Sequence, residues 1–251
     1  MKLYRAVLET HEPLFFATKE IGELYVTEPY ISNYALTYAL TPEIVSYKHH
    51  NSPQYKNDLK NLKFYITPAK FIEYKWRYDI FNSIGEGYYL KMLSNNYSNI
   101  PYPKPSTSKK KVPQNAITKK YSSIYTERAK NIPQIGRLKQ ISLESKAVFY
   151  IILYEEKNFP EYIRLGKFNT KCKITYKEVK NINIKEAEFR SKYVLNVLDI
   201  PNNINLLSYK IIPIKPVQII ENAIFKGKYI EIETEIETDC IPYNMRYFWG
   251  G

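Results

Sequence analysis

The run Ala147–Tyr154 (AVFYIILY) constrains the fold more than any other stretch of this chain. It is an unbroken series of small, β-branched, aromatic and aliphatic residues, which suits a strand buried on both faces. No apolar run in the 251 residues is longer. A bilayer span needs roughly 18 such residues, so no membrane crossing by a helix is expected. A second strong signal is Tyr229–Thr238 (YIEIETEIET), where Ile230, Ile232 and Ile236 alternate with Glu231, Glu233, Glu235 and Glu237. This predicts a strand with one buried face and one acidic, exposed face.

Weaker strand signals surround these two. Lys2–Glu9 is rich in Tyr, Val and Leu, and Leu14–Ala17 extends or follows it after Pro13. Lys63–Thr67 (KFYIT) is stopped by Pro68, and the alternation from Tyr74 to Tyr78 favours a strand within Phe71–Ile80. Tyr162–Tyr176 reads as two short strands broken around Gly166. Thr27-Glu28-Pro29 predicts a helix start, because Thr caps and Pro is tolerated in the first turn. Ile31, Ala35, Tyr38 and Ala39 recur at helical spacing until Thr41-Pro42 ends the pattern. Glu186–Val197 is a second predicted helix, and Ile84–Tyr89 (IGEGYY) a turn. Strands outnumber helices without alternating with them, and no long repeat is visible. An α+β fold around an antiparallel sheet follows, with the RRM-like βαββαβ module as the natural candidate. The aromatic RNA-binding signature of that module is missing, so RNA need not lie on its sheet face.

Charge separates the chain into regions. The whole carries 37 Lys+Arg against 25 Asp+Glu, net +12. Ile100–Lys146 alone holds net +9, and Lys157–Ile219 net +7, while Ile220–Gly251 is net −3. The first basic block opens with Pro101, Pro103, Pro105 and Pro113, which oppose both helix and central strand. It predicts a long arm projecting from the core. A solvated linker is the plain alternative. Tyr121 and Tyr125 interleave with the charge, which favours contact with nucleic acid. The second block contains IRLGKFNTKCKI (Ile163–Ile174). Arg164, Lys167, Lys171 and Lys173 surround Gly166 and Phe168 there. Glycine lets backbone approach a phosphate closely, and an aromatic ring gives a base a stacking surface. A β-turn with a solvated basic face accounts for the segment equally well.

Residues for demanding chemistry are few. His49 and His50 are adjacent, so on a strand they would point to opposite faces and could not easily share one metal. Neither Cys172 nor Cys240 has a second ligand at metal-binding spacing, so two buried thiols and no metal or other cofactor are expected. Gly85-Glu86-Gly87 lacks the third glycine of a dinucleotide fingerprint. Metal-free RNA cleavage needs only a base near a 2′-hydroxyl and a cation for the phosphate. His11, Tyr121 and nearby lysines could supply these, which leaves a metal-independent endoribonuclease as the alternative to a binding protein.

His11–Leu40 (HEPLFFATKEIGELYVTEPYISNYALTYAL) resembles the N-terminus of the type I-D form of the Cas-five family, RAMP subunits of CRISPR Cascade complexes. YITPA (Tyr65–Ala69), IRLGKF (Ile163–Phe168) and LNVLDIP (Leu195–Pro201) follow in the family's order. The resemblance implies a modified ferredoxin-like (RRM-like, RAMP) antiparallel core over residues 1–251, with a basic thumb-like insertion at about 95–140. It implies a cytoplasmic, non-catalytic subunit that caps the crRNA backbone and grips the repeat-derived 5′ tag. The implied partners are crRNA, target DNA near the protospacer-adjacent motif, a Cas-seven-type backbone subunit and a large Cas-ten-like subunit, with no membrane. Phosphate contacts then fall to Lys109, Lys110, Lys111, Lys119 and Lys120 of the arm. Arg128, Lys130, Arg137 and Lys139 extend that track. Arg164, Lys167 and Lys171 hold backbone near the tag, and Phe168 or Tyr121 stacks a base. The family's glycine-rich loop has as its counterpart Gly166 or the Gly85-Gly87 pair, or is absent from this chain. The aromatic C-terminus (Tyr247, Phe248, Trp249) either docks a partner or folds back on its own core.

Overall fold

A computed structural model describes residues 1–44, 54–83, 88–93, 96–101, 134–233 and 238–248. The chain divides into two units: Met1–Asp79 with Leu138–Gly251, and Ile80–Arg137. The strands are β1 (Lys2–Thr10), β2 (Lys19–Ile21), β3 (Leu24–Val26), β4 (Tyr30–Ile31), β5 (Phe64–Ile66), β6 (Ala69–Glu73), β7 (Trp76–Ser83), β8 (Tyr88–Leu93) and β9 (Asn96–Pro101). They continue with β10 (Gln134–Ile141), β11 (Lys146–Leu153), β12 (Tyr162–Leu165), β13 (Thr170–Glu178), β14 (Ile182–Ser191), β15 (Leu195–Asn196), β16 (Asn205–Ile212), β17 (Ile219–Glu233) and β18 (Thr238–Pro242). Helices α1 (Asn33–Leu40) and α2 (Tyr55–Leu59) are short. The result is a mostly antiparallel α+β architecture.

The apolar run forms β11, at the centre of a sheet ordered β12-β13-β1-β11-β6-β4, with β5 also pairing β11. Its alternate residues supply two cores, one on each face. Ala147, Phe149 and Ile151 pack with Ala6, Leu8, Cys172, Ile174 and with Leu36 and Leu40 of α1. Val148, Tyr150 and Ile152 pack with Leu3 and with Phe225, Ile230 and Ile232 of a second sheet. That sheet is built on β17, which pairs with β14, β15, β16 and β18. In the Ile80–Arg137 unit, β8 and β9 form a hairpin from Tyr88↔Pro101 to Leu93↔Asn96.

Three expectations from sequence are corrected. The helix begins later than Thr27-Glu28-Pro29: Ser32 is its cap, its hydroxyl accepting from the Tyr34 N–H. Thr27 instead bridges to the backbone N–H and C=O of Phe16, and Tyr30–Ile31 pairs with Lys70–Ala69 as a strand. The segment Glu186–Val197 is not helical. Its first half belongs to β14, paired with β17 from Ile182↔Ile232 to Ser191↔Ala223, and ten successive pairings override the helix preference of Glu and Ala. Cys240 is only half-buried, whereas Cys172 is buried as expected. The alternation at Tyr229–Thr238 holds only in part: Ile230 and Ile232 are buried and Glu233 is exposed, but Glu231 is half-buried against Lys185 and Tyr229 is buried, and the predicted single strand is divided, with Thr238 opening β18 opposite Glu233. Ile236, Glu235 and Glu237 lie outside the described residues, as do Ile84–Gly87 of the predicted glycine turn.

The C-terminal segment folds back on the core. Tyr247 is buried, its hydroxyl hydrogen-bonded with that of Thr37 and accepting from the Ile66 N–H. Buried Asp199 accepts from Asn33 Nδ2 at 2.7 Å, the Tyr65 hydroxyl at 3.1 Å and the Phe248 N–H at 2.9 Å. Burial pushes its carboxyl up to about 7, although these donors oppose the rise. Trp249 lies outside the described residues.

Candidate nucleic-acid interface

The β12–β13 hairpin turns around Gly166, whose φ is +74°. A Cβ there would sit 2.6 Å from the Phe15 carbonyl oxygen. That closeness has a use: the Lys167 N–H donates to the same oxygen at 2.9 Å. Asn169 follows at φ +54°, a conformation that Asn tolerates better than most residues. Arg164 Nη1 donates to the Asn169 carbonyl at 2.9 Å, so the guanidinium braces the turn while keeping other N–H groups. Phe168 is 57% exposed and stacks on Phe15 with ring centroids 5.2 Å apart. The tip thus presents an ordered aromatic face beside Lys167 and Arg164.

Strand period then aligns cations along the sheet. Thr170, Cys172 and Ile174 of β13 are buried, so Lys171, Lys173 and Lys177 share the opposite face. Register places Arg164 opposite Lys171 and Tyr162 opposite Lys173. On the other flank, β1 places Arg5 opposite Lys177 and Glu9 opposite Lys173. Arg164, Lys171, Lys173, Lys177 and Arg5 therefore lie on one face. Lys171 to Lys177 alone extends about 20 Å at strand rise, room for several phosphates. Lys171 Nζ sits 4.9 Å from the centre of the Tyr162 ring, and His11 meets that ring edge-on at 6.2 Å. The Glu12 carboxylate accepts from the Lys171 backbone N–H at 3.0 Å. Behind the row, burial pushes the Cys172 thiol up to about 12, so it stays protonated as core.

The model of type I-D CRISPR-associated Cas5/Csc1 proteins matches residues 1–250. The chain belongs to this family. No curated protein matches it. Among solved structures, a CRISPR protein from Archaeoglobus fulgidus aligns at 11% identity and TM-score 0.41, over 98% of this chain and 100% of that one. A chain of the type III-B Cmr-beta complex, bound to cognate target RNA and AMPPnP, aligns at 12% identity and TM-score 0.42, over 88% and 86%.

For this Cas5/Csc1 family member, the candidate residues fall into three groups. Arg164, Lys167, Phe168 and Lys171 converge on the hairpin. Arg137 and Lys139 lie on β10, in the sheet ordered β2-β3-β10-β7. Arg137 is exposed, and Lys139 holds its Nζ 3.9 Å over the Trp76 ring. Lys109, Lys110, Lys111, Lys119, Lys120, Tyr121, Arg128 and Lys130 lie outside the described residues, as do His49 and His50. Sequence reasoning left Arg5 and Lys177 out of the site. Lys177 shares the face of Lys171 and Lys173 by strand period and lies one residue past the predicted strand, whereas Arg5 joins through pairing between strands more than 160 residues apart, which charge and local period do not reveal. Among the described residues, no three His, Cys, Asp or Glu side chains gather at metal-binding distance, and no helix is long and apolar enough to cross a membrane.

Proposed function

We propose that this protein is a non-catalytic crRNA-binding subunit of a type I-D effector complex, capping the RNA backbone and holding its repeat-derived 5′ tag. The cationic face running from Arg164 through Lys171, Lys173 and Lys177 to Arg5 carries this reading. Spaced cations with adjoining rings suit a single strand: cations neutralise phosphates, and Phe168 offers a base a stacking surface. Lys109, Lys110, Lys111, Lys119 and Lys120 add phosphate contacts from the arm, and Arg128, Lys130, Arg137 and Lys139 continue them. The ferredoxin-like RAMP description of the core, the thumb-like role of the insertion, and docking beside Cas-seven-type and Cas-ten-like subunits near target DNA belong to the same proposal. Family membership supports it.

The test is to express the chain with its genomic neighbours, purify the complex and sequence the bound RNA. Fixed 5′ ends from one repeat are expected. RNA of random ends, or none, overturns the proposal. The nuclease alternative draws on His11, which stands beside Tyr162 and Lys171. It requires the purified protein to cut repeat RNA in chelator and His11→Ala to abolish cutting. The proposed binding role requires intact RNA in both samples.

A further inference from the structure

The alternation from Tyr74 to Tyr78 is a sequence motif that the hairpin does not use. It leads into β7, the last strand of the sheet ordered β2-β3-β10-β7, and among the described residues no strand pairs with the other side of β7. Strand period puts Trp76 and Tyr78 on one face and Arg77 and Asp79 on the other. The contacts agree. Asp79 accepts from Arg77 Nε at 3.0 Å and from Gln140 Nε2 at 2.6 Å, so the charges of that face are engaged with each other. On the opposite face, Lys139 Nζ stands 3.9 Å from the centre of the Trp76 ring, and among the described residues no carboxylate pairs with it. Tyr74 meets Trp76 edge-on at 5.2 Å and is met edge-on by Phe71 at 6.2 Å, which fixes the indole under the ammonium. Tyr78 is the open ring. It is 63% exposed, and no described residue bonds to it or stacks on it. The nearby carboxylates do not compete: Glu73 is paired with Lys146 at 2.9 Å and Glu28 with Lys19 at 2.6 Å, while Glu20 lies on β2 at the far edge of the sheet.

An open ring beside an ammonium without a counter-ion suits a ligand that joins a flat π-face to an anion. Trp76 and Tyr78 are two residues apart, about 7 Å at strand rise, and the cation sits over the first of them. A base lying on Tyr78 therefore directs its phosphate toward Lys139. Tyrosine also anchors protein interfaces, but the free ammonium and the net charge of +12 favour a polyanion. We infer that Tyr78 and Lys139 form a second binding surface for single-stranded nucleic acid, with a base stacked on the Tyr78 ring and the adjoining phosphate on Lys139 Nζ. Trp76 holds that cation in place. The inference rests on the nucleic-acid reading for the class of ligand alone, because the hairpin face belongs to the seven-stranded sheet and this surface does not. RNA and DNA strands offer the same chemistry.

The experiment irradiates the purified full chain, freed of nucleic acid, with a uridine octamer or its deoxy counterpart carrying one 5-iodouracil, a base that forms adducts with a stacked aromatic ring. Adducts are mapped by mass spectrometry. An adduct on Tyr78 is expected in the parent protein and in Phe168→Ala, whose hairpin tip has lost its ring. Its absence from the parent, or its loss in Phe168→Ala, overturns the inference; adducts on Phe168 alone would do so while leaving the capping proposal standing. In the Phe168→Ala background, Tyr78→Ala should weaken octamer binding about fivefold or more by fluorescence anisotropy, and Tyr78→Phe, which keeps the ring, should not. Unchanged affinity in a Tyr78→Ala protein that melts normally overturns the inference. Lys139→Gln should flatten the log–log salt slope by about 0.7, and an unchanged slope removes the phosphate contact and the inference with it. If Tyr78→Ala instead releases a protein subunit from the co-purified complex with RNA content unchanged, the surface belongs to a protein and the inference falls. The tighter of the two octamers identifies the strand as RNA or DNA.

Discussion

Gly166→Ala tests the construction of the hairpin tip, and Gly22→Ala is its internal control. Both glycines have positive φ, +74° and +60°. An Ala in that region costs roughly 1 kcal/mol. At Gly22 nothing lies within 4 Å of the added methyl, so the backbone term acts alone. At Gly166 the methyl meets the Phe15 oxygen at 2.6 Å and the Leu14 side chain at 3.0 Å. The turn must move away, which breaks the Lys167–Phe15 hydrogen bond at a cost of about 1 kcal/mol. Movement also disturbs the Phe15–Phe168 stack, a loss of about 0.5–1.5 kcal/mol. Reduced freedom of the unfolded chain returns about 0.5 kcal/mol in each variant. The net losses are about 2–3 kcal/mol for Gly166→Ala and about 0.5 kcal/mol for Gly22→Ala. For a unit of this size, melting should fall by about 8 °C in the first and about 2 °C in the second. Differential scanning calorimetry on the two proteins under one buffer measures this. Equal shifts would refute the close-approach argument, because only the φ term would then be operating. RNA retention should fall in Gly166→Ala and not in Gly22→Ala.

If the five cations of the face each neutralise a phosphate, RNA affinity should fall with a log–log salt slope of about −3.5. Lys171→Gln with Lys173→Gln should flatten it by about 1.4, and an unchanged slope would remove those residues from the interface. Phe168→Ala should cost about 1–3 kcal/mol in RNA binding if a base stacks there, read by fluorescence anisotropy. Asp199 has a folded-state pKa of about 7 against an ordinary 3.8. Between those values the unfolded chain has released the proton and the folded one keeps it, so this group makes stability fall as pH rises from 4 to 7. The effect is at most on the order of 4 kcal/mol. In Asp199→Asn, the difference in urea midpoint from the parent protein should change in the parent-favouring direction as pH is lowered; a pH-independent difference would contradict the assignment. Iodoacetamide should label Cys240 before Cys172 at pH 8, since Cys172 is buried with its thiol held near 12.

Local pattern was enough to place the strands whose side chains decide their own burial. The Ala147–Tyr154 run became the central β11, shifted by one residue, and Lys2–Glu9 became β1. The break at Gly166 was legible because glycine and its flanking apolar residues mark a hairpin in any context. The pairing of Lys171 with Lys173 on one face followed from the strand period alone. Misreadings arose where partners outside the segment decided the outcome. Glu186–Val197 contains good helix formers, yet a long neighbouring strand offers ten pairings to its first half and the surrounding chain. Thr27 has the chemistry of a helix cap, but its hydroxyl is taken by Phe16 across a turn, leaving Ser32 to cap.

The sequence by itself determined the antiparallel strand-rich class, the hairpin and its basic residues, and the family, because these rest on residue types and short spacings. Tertiary structure alone decided that Arg5 joins Arg164, Lys171, Lys173 and Lys177 on one surface. It did so through the register between β1 and β13 and the order of strands in the sheet. Those relations link residues far apart in the chain, where neither hydrophobic period nor charge count carries information.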